Sequence, residues 1–254
     1  MSKQDKYSEF VRLAKNVYDS STADEAGLQD LRNRPHFFLL ACVMDSQIKY
    51  EKAASIPHAI AKEMGDDSFE AFANKPLEYY SELFQTKSLH RYNARMSKAF
   101  YLTVKRVKEQ YDSDASKIWS DEPSSAELVS RFLEFDYVGV KIATMATNVL
   151  ARDYKIPLKD KYSIDISPDI HVKRVFYRMG LITIKDDTPF SEIDATKIVY
   201  KAREINPEFP GILDLLCWQI GEKQICTNSK CRCDECPLNS ICEKKGLETA
   251  FTQK

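Results

Sequence analysis

Five of the chain's seven cysteines, Cys226, Cys231, Cys233, Cys236 and Cys242, crowd into one stretch of the 254-residue sequence. As thiolates, cysteines are nucleophiles and ligands for soft metals. The opening residues, MSKQDKYSEF, lack the apolar run of a signal peptide, so the expected location is the cytoplasm, on the nucleoid if the source is prokaryotic. Structural disulfides are seldom kept there, and the cluster reads as metal ligation before cross-linking. Taking Cys226, Cys233, Cys236 and Cys242 gives C-x6-C-x2-C-x5-C, with Cys231 left over. Structural zinc usually takes two separated C-x2-C pairs or mixed Cys and His. A single C-x2-C with no histidine nearby suits a [4Fe–4S] cluster better, with zinc and free thiols as the alternatives. Either metal would staple a loop too poor in apolar residues to order itself. Around it stand Lys223, Lys230, Arg232, Lys244 and Lys245, available to a phosphate backbone or simply to water.

A second candidate is the segment FDYVGVK, residues 135–141, a short turn containing Gly139 between helical patterns at 125–135 and 141–151. Backbone N–H groups at such a turn, followed by a helix N-terminus, form a concavity that can hold a phosphate. Any helical hairpin needs a turn, however, so its specificity comes from what accompanies it.

The elements that must position these groups are helical. Tyr7, Phe10, Val11, Ala14, Val17 and Tyr18 follow the i, i+3, i+4, i+7 rule, as do Met96, Ala99, Phe100, Thr103, Val104 and Val107. Further helical patterns cover 172–179, 198–205 and 212–220. The run FFLLACVM, residues 37–44, is apolar on every side and reads as a central buried helix. At eight residues it is also the longest apolar run, far too short to span a bilayer. Only near 154–167, where Ile164 and Ile166 alternate with polar residues, does the period fall to two, and a small β-hairpin is expected there. Seven glycines argue against a loop-rich all-β fold or a glycine-lined nucleotide site. The fold class is all-α.

Downstream of the turn stands Pro168-Asp169-Ile170-His171-Val172-Lys173-Arg174-Val175. The V-G-x-K turn, this D-x-H-V-x-R-V segment and the cysteine spacing, in that order, resemble the endonuclease III branch of the helix-hairpin-helix DNA glycosylases. Upstream, ACVMDSQ ending at Gln47 and the stretch Leu89 to Ala99 with Asn93 are also similar to that family. The likeness spans roughly residues 35–243. It implies a two-lobed fold, one lobe at 35–155 and the other combining 1–34 with 156–254 and carrying the loop 226–242. It further implies a [4Fe–4S] cluster on Cys226, Cys233, Cys236 and Cys242. The implied function is base-excision repair by a monomeric enzyme, away from membranes, on double-stranded DNA with a damaged or modified base or an abasic site. Lys141 falls on the family's nucleophile and Asp169 on its catalytic aspartate, which points to a bifunctional glycosylase and AP lyase. Gln47 matches the residue inserted into the vacated base stack, while Val138, Gly139, Val140 and His171 fall at DNA-contacting positions. The chemistry asks for a partly neutral lysine, hence for burial or neighbouring cations. Rival readings are a monofunctional glycosylase using Asp169-activated water and a non-catalytic DNA-binding module.

The sequence also departs from the family. Its hairpin usually reads L-P-G-V-G, whereas here Phe135-Asp136-Tyr137-Val138-Gly139 stand in those places. The residue free to take positive φ is gone, and Glu134 and Asp136 bring negative charge beside the phosphate site. The interval from Lys141 to Asp169 is longer than usual, and the excess maps onto 154–167. The family's usual substrates, oxidised pyrimidines and abasic sites, therefore transfer only weakly.

The chain has 37 basic and 38 acidic side chains, a net charge of −1, which by itself gives no reason to expect nucleic acid. The total hides runs of one sign. From Lys87 to Lys108 there are seven basic residues and no acids, and from Arg152 to Arg178 seven basic residues against four aspartates. Affinity for DNA depends on charge at the contact face, not on the sum.

Overall fold

The computed structural model describes residues 2–183, 189–228 and 231–247. In chain order its α-helices are α1 (Lys3–Ser20), α2 (Glu25–Asn33), α3 (Pro35–Met44), α4 (Tyr50–Met64), α5 (Phe69–Ala73), α6 (Leu77–Thr86), α7 (Asn93–Gln110), α8 (Ser125–Leu133), α9 (Val140–Arg152), α10 (Ile170–Arg178), α11 (Glu192–Ile205) and α12 (Asp214–Glu222). Short 3-10 turns fall at Ala115–Ile118, Pro210–Leu213, Cys233–Glu235 and Asn239–Ile241. The chain divides into two compact units, Met1–Ser21 with Lys161–Lys254, and Thr22–Asp160.

The Thr22–Asp160 unit is built around α3. Every residue from His36 to Met44 is buried, as the FFLLACVM run requires of a helix with no polar face. Around it pack α2, α4, α7 and α9. Phe100 of α7 collects an aromatic cluster, stacked on Phe72 and tilted against Tyr80, whose hydroxyl donates to the Phe72 carbonyl at 2.6 Å. Burying a phenol is tolerable only with such a partner. In the other unit α1 lies against α12 and the turn at Pro210–Leu213, while α10 packs on α11 and α12. Phe10 meets Phe176 edge-on with centroids 6.0 Å apart, and Tyr18 meets Phe209 at 5.1 Å.

The expected β-hairpin near 154–167 does not form. Among the described residues there is no strand pairing there, and the only β feature is an isolated bridge between Cys226 and Cys231. The reason lies in where the backbone groups go. Ile156 N donates to Leu150 O, Lys159 N to Pro123 O, and Gly211 N to Ile164 O, so each is satisfied by a helix end or a distant turn. Ile164 and Ile166 are fully buried. The alternation records an extended segment with one side pressed into a core, not two strands facing each other. Gly211 is required here, because a side chain on it would collide with the Ile164 carbonyl at 2.8 Å.

Candidate functional site

In the Thr22–Asp160 unit the turn between α8 and α9 is set from both ends. A capping box starts α8: the Ser124 hydroxyl accepts from Glu127 N at 3.2 Å, and the Glu127 carboxylate accepts from Ser124 N at 2.7 Å. Phe135 N donates to Phe132 O and Val138 N to Phe135 O, each at 3.1 Å, and both side chains are buried as anchors. Between them Tyr137 sits at φ 67°. The turn thus places a non-glycine residue in the left-handed region, without the glycine that makes it easy. That conformation costs a bulky residue about 1–2 kcal/mol. The Arg95 guanidinium, 5.2 Å from the Tyr137 ring centroid, offsets part of this.

Gly139 is a different case. Its φ of −98° suits any residue, and a Cβ there would meet nothing within 4 Å. Neither torsion nor packing within its surroundings calls for glycine, which leaves close approach by an outside ligand as a use for it. Among the described residues no side chain caps α9, so its first-turn N–H groups lack the usual capping acceptor. Val140, 62% exposed, and the exposed Lys141 stand on that same turn. Lys141 therefore lacks the burial within its own unit that the sequence reading asked for. Asp45, at the C-terminal end of α3, has its carboxyl pushed up by burial while the charge of Lys141 pulls it back down. Glu134 is partly neutralised by Arg106 at 3.4 Å, and Asp136 is exposed.

Gln47 follows α3 at φ 57°, exposed, and its side-chain oxygen accepts from the Tyr92 hydroxyl at 2.8 Å. His90 steadies both loops. Its Nδ1 accepts from Tyr92 N at 3.0 Å, which leaves Nε2–H to donate to Met44 O at 3.1 Å. Burial lowers the His90 pKa, in keeping with this neutral form. Sequence reading did not single out His90 or Tyr92, and no local pattern could have done so. The contacts close residues more than 40 positions apart.

In the other unit Asp169 is the N-cap of α10. Its Oδ1 accepts from His171 N and Val172 N, each at 2.8 Å. The half-buried His171 packs on α12 so closely that a Cβ on Gly221 would overlap its ring. Its Nδ1 is buried with no hydrogen-bond partner among the described residues. Arg174 and Arg178, four residues apart on α10 and both buried, tie down the cysteine loop. Arg174 reaches the Asn228 side chain at 2.6 Å and Cys226 O at 3.0 Å, and Arg178 reaches Thr227 O at 2.7 Å. The sequence signal for this is an Arg pair at i, i+4 among the apolar Val172, Val175 and Phe176.

Cys226, Cys231, Cys233, Cys236 and Cys242 line one small cavity together with Arg178 and Asn239. Cys42 and Cys217 are buried elsewhere, as core residues. Among the described residues, no group of three or more His, Cys, Asp or Glu side chains is arranged to hold a metal ion. Burial pushes the Cys226 thiol up to about 12, against the pull of Arg178, and raises Cys236 and Cys242 as well. The Asn239 side-chain oxygen is buried, with no hydrogen-bond partner among the described residues. Of the flanking cations, Arg232 pairs with Glu235 at 2.7 Å and Lys245 with Glu243 at 3.2 Å; Lys223 and Lys244 are exposed, and Lys230 lies outside the described residues.

No protein-family model and no curated protein sequence matches the chain. Solved structures do. A trapped endonuclease III–DNA covalent intermediate, an estranged-adenine complex, aligns with TM-score 0.62 and 15% identity over 98% of this chain and all of that one. A non-covalent endonuclease III–DNA complex aligns with TM-score 0.61 and 16% identity over the same shares. The chain thus has the all-α fold of those structures at low identity. No described helix is long and apolar enough to cross a membrane.

Proposed function

We propose that the protein is a base-excision DNA glycosylase with AP lyase activity, using Lys141 as nucleophile and Asp169 as the supporting carboxylate. The observation that carries this is the α8–α9 hairpin. An uncapped helix N-terminus, a glycine with open space above it and an exposed lysine stand on one turn, in a fold shared with endonuclease III–DNA complexes. Backbone N–H groups there would take a phosphate. The amine of Lys141 would attack C1′ as the bond from C1′ to the base breaks, the base leaving with the electron pair and gaining a proton. Opening of the sugar C1′–O4′ bond gives a Schiff base, and loss of a C2′ proton then expels the 3′ phosphate. Lys141 is exposed in the free protein, so the bound duplex would have to supply its desolvation. A carboxylate at Asp169 would stabilise positive charge developing on the sugar. Two backbone N–H groups hold Oδ1 and so fix the orientation of the carboxyl group.

The cysteine loop is read as the seat of a cluster on its spacing, a single C-x2-C with no histidine nearby. A [4Fe–4S] cluster takes one cysteine at each iron, and the five cysteines of the loop line one small cavity. Cys226, Cys233, Cys236 and Cys242 would hold it. When bound, the cluster would cross-link loop 226–242 and supply the positive charge that brings the buried thiols to thiolates.

The test is a panel of duplexes carrying oxidised bases, other modified bases and an abasic site, with products resolved by length. Base loss with strand scission is expected. Base loss leaving the abasic strand intact would replace the lyase with a water-using glycosylase, and salt-sensitive binding without turnover on any duplex would leave a binding module.

A further inference from the structure

The sequence spacing leaves Cys231 without a role, but the structure puts it at the same cavity as the other four cysteines of the loop. Cys231 and Cys226 face each other across the antiparallel bridge, so their backbones are locked side by side. One nitrogen of Arg178 spans both sulfurs, at 3.1 Å from Cys226 and 2.7 Å from Cys231. That guanidinium is buried and is held independently by Thr227 O at 2.7 Å. A donor shared between two sulfurs at hydrogen-bond distance does not distinguish one as ligand and the other as bystander. Choosing Cys231 turns the spacing into C-x1-C-x2-C-x5-C, and Cys233, Cys236 and Cys242 keep their places in either choice.

We infer that Cys226 and Cys231 are interchangeable ligands for one corner of an iron–sulfur cluster. This rests on the cluster reading above. In the exchange the iron–sulfur bond to one cysteine breaks as the bond to the other forms. The incoming thiol gives its proton to the outgoing thiolate, so no oxidant or reductant is involved. The unbound partner stays on Arg178, which keeps it within reach.

The experiment uses the full chain purified without oxygen, with iron and acid-labile sulfide counted per chain and the visible charge-transfer absorption recorded. Cys226→Ala and Cys231→Ala should each keep near wild-type iron and sulfide, and the double variant should lose most of both. Loss in Cys226→Ala equal to that in the double variant, with Cys231→Ala unaffected, would overturn the inference, as would the converse. Mapping of alkylated thiols on the wild-type holoprotein needs no variant and covers the case in which one misfolds. Partial labelling of both Cys226 and Cys231 is expected, and labelling confined to one of them counts against exchange. A wild-type protein without iron would instead remove the cluster reading itself, whatever its activity on DNA.

Discussion

Asp169 combines a structural task with the chemical one proposed for it, and two substitutions separate them. As N-cap of α10 it accepts from two backbone N–H groups through one oxygen. Asparagine caps about as well as aspartate, whereas alanine costs about 1 kcal/mol. Asp169→Asn should therefore melt within a few tenths of a kcal/mol of wild type, and Asp169→Ala about 1 kcal/mol lower, measured by denaturant unfolding. Both should lose base excision, because an amide carries no charge to set against a developing sugar cation. Full excision by Asp169→Asn would reduce the residue to its capping role. The sequence shows the loss of glycine from the hairpin but not its consequence, and the structure puts Tyr137 at positive φ.

At the scale of elements, the hairpin can be tested apart from stability. Gly139→Asp puts a better cap on α9 with open space for the side chain, so stability should hold or rise by a few tenths of a kcal/mol. The same carboxylate would face the proposed phosphate site, and affinity for abasic duplex should fall about tenfold. Unchanged binding, read by fluorescence anisotropy, would take the phosphate away from this turn. How far such elements were legible depended on the range of the forces that set them. Helical period is local, so α1, α3, α7 and the pair α8–α9 were visible in the sequence to within a few residues. The segment 154–167 was not, because period two reports a buried side and says nothing about the pairing partner. Ile164 is held by Gly211, far along the chain. Gln47, Lys141 and Asp169 came from motif order alone. Their settings, a Tyr92 hydrogen bond, an exposed helix start and a helix cap, depend on contacts that no motif contains.

For the whole molecule, burial decides what the charge runs mean. The run from Arg152 to Arg178 looked available to DNA, but Lys173, Arg174 and Arg178 are buried within their unit. The run from Lys87 to Lys108 keeps its exposure at Lys87, Arg91, Arg95, Lys98, Lys105 and Lys108. Two of those are paired, Lys87 with Glu63 at 2.9 Å and Lys105 with Glu109 at 3.9 Å. A small set of free cations should release few counterions. The slope of log affinity against log salt should lie at about −4 to −5, since each phosphate neutralised on duplex DNA contributes about −0.9. A slope steeper than about −8 would mean a far larger cationic face than the one described.

The role of Lys141 is open to a direct chemical trap. Borohydride reduces a Schiff base between enzyme and abasic DNA to a stable covalent adduct, seen as a shifted band on a denaturing gel. The wild-type protein should give that adduct and Lys141→Gln should give none, while still binding the duplex. An adduct persisting at wild-type yield in Lys141→Gln would contradict the assignment of Lys141 as the nucleophile.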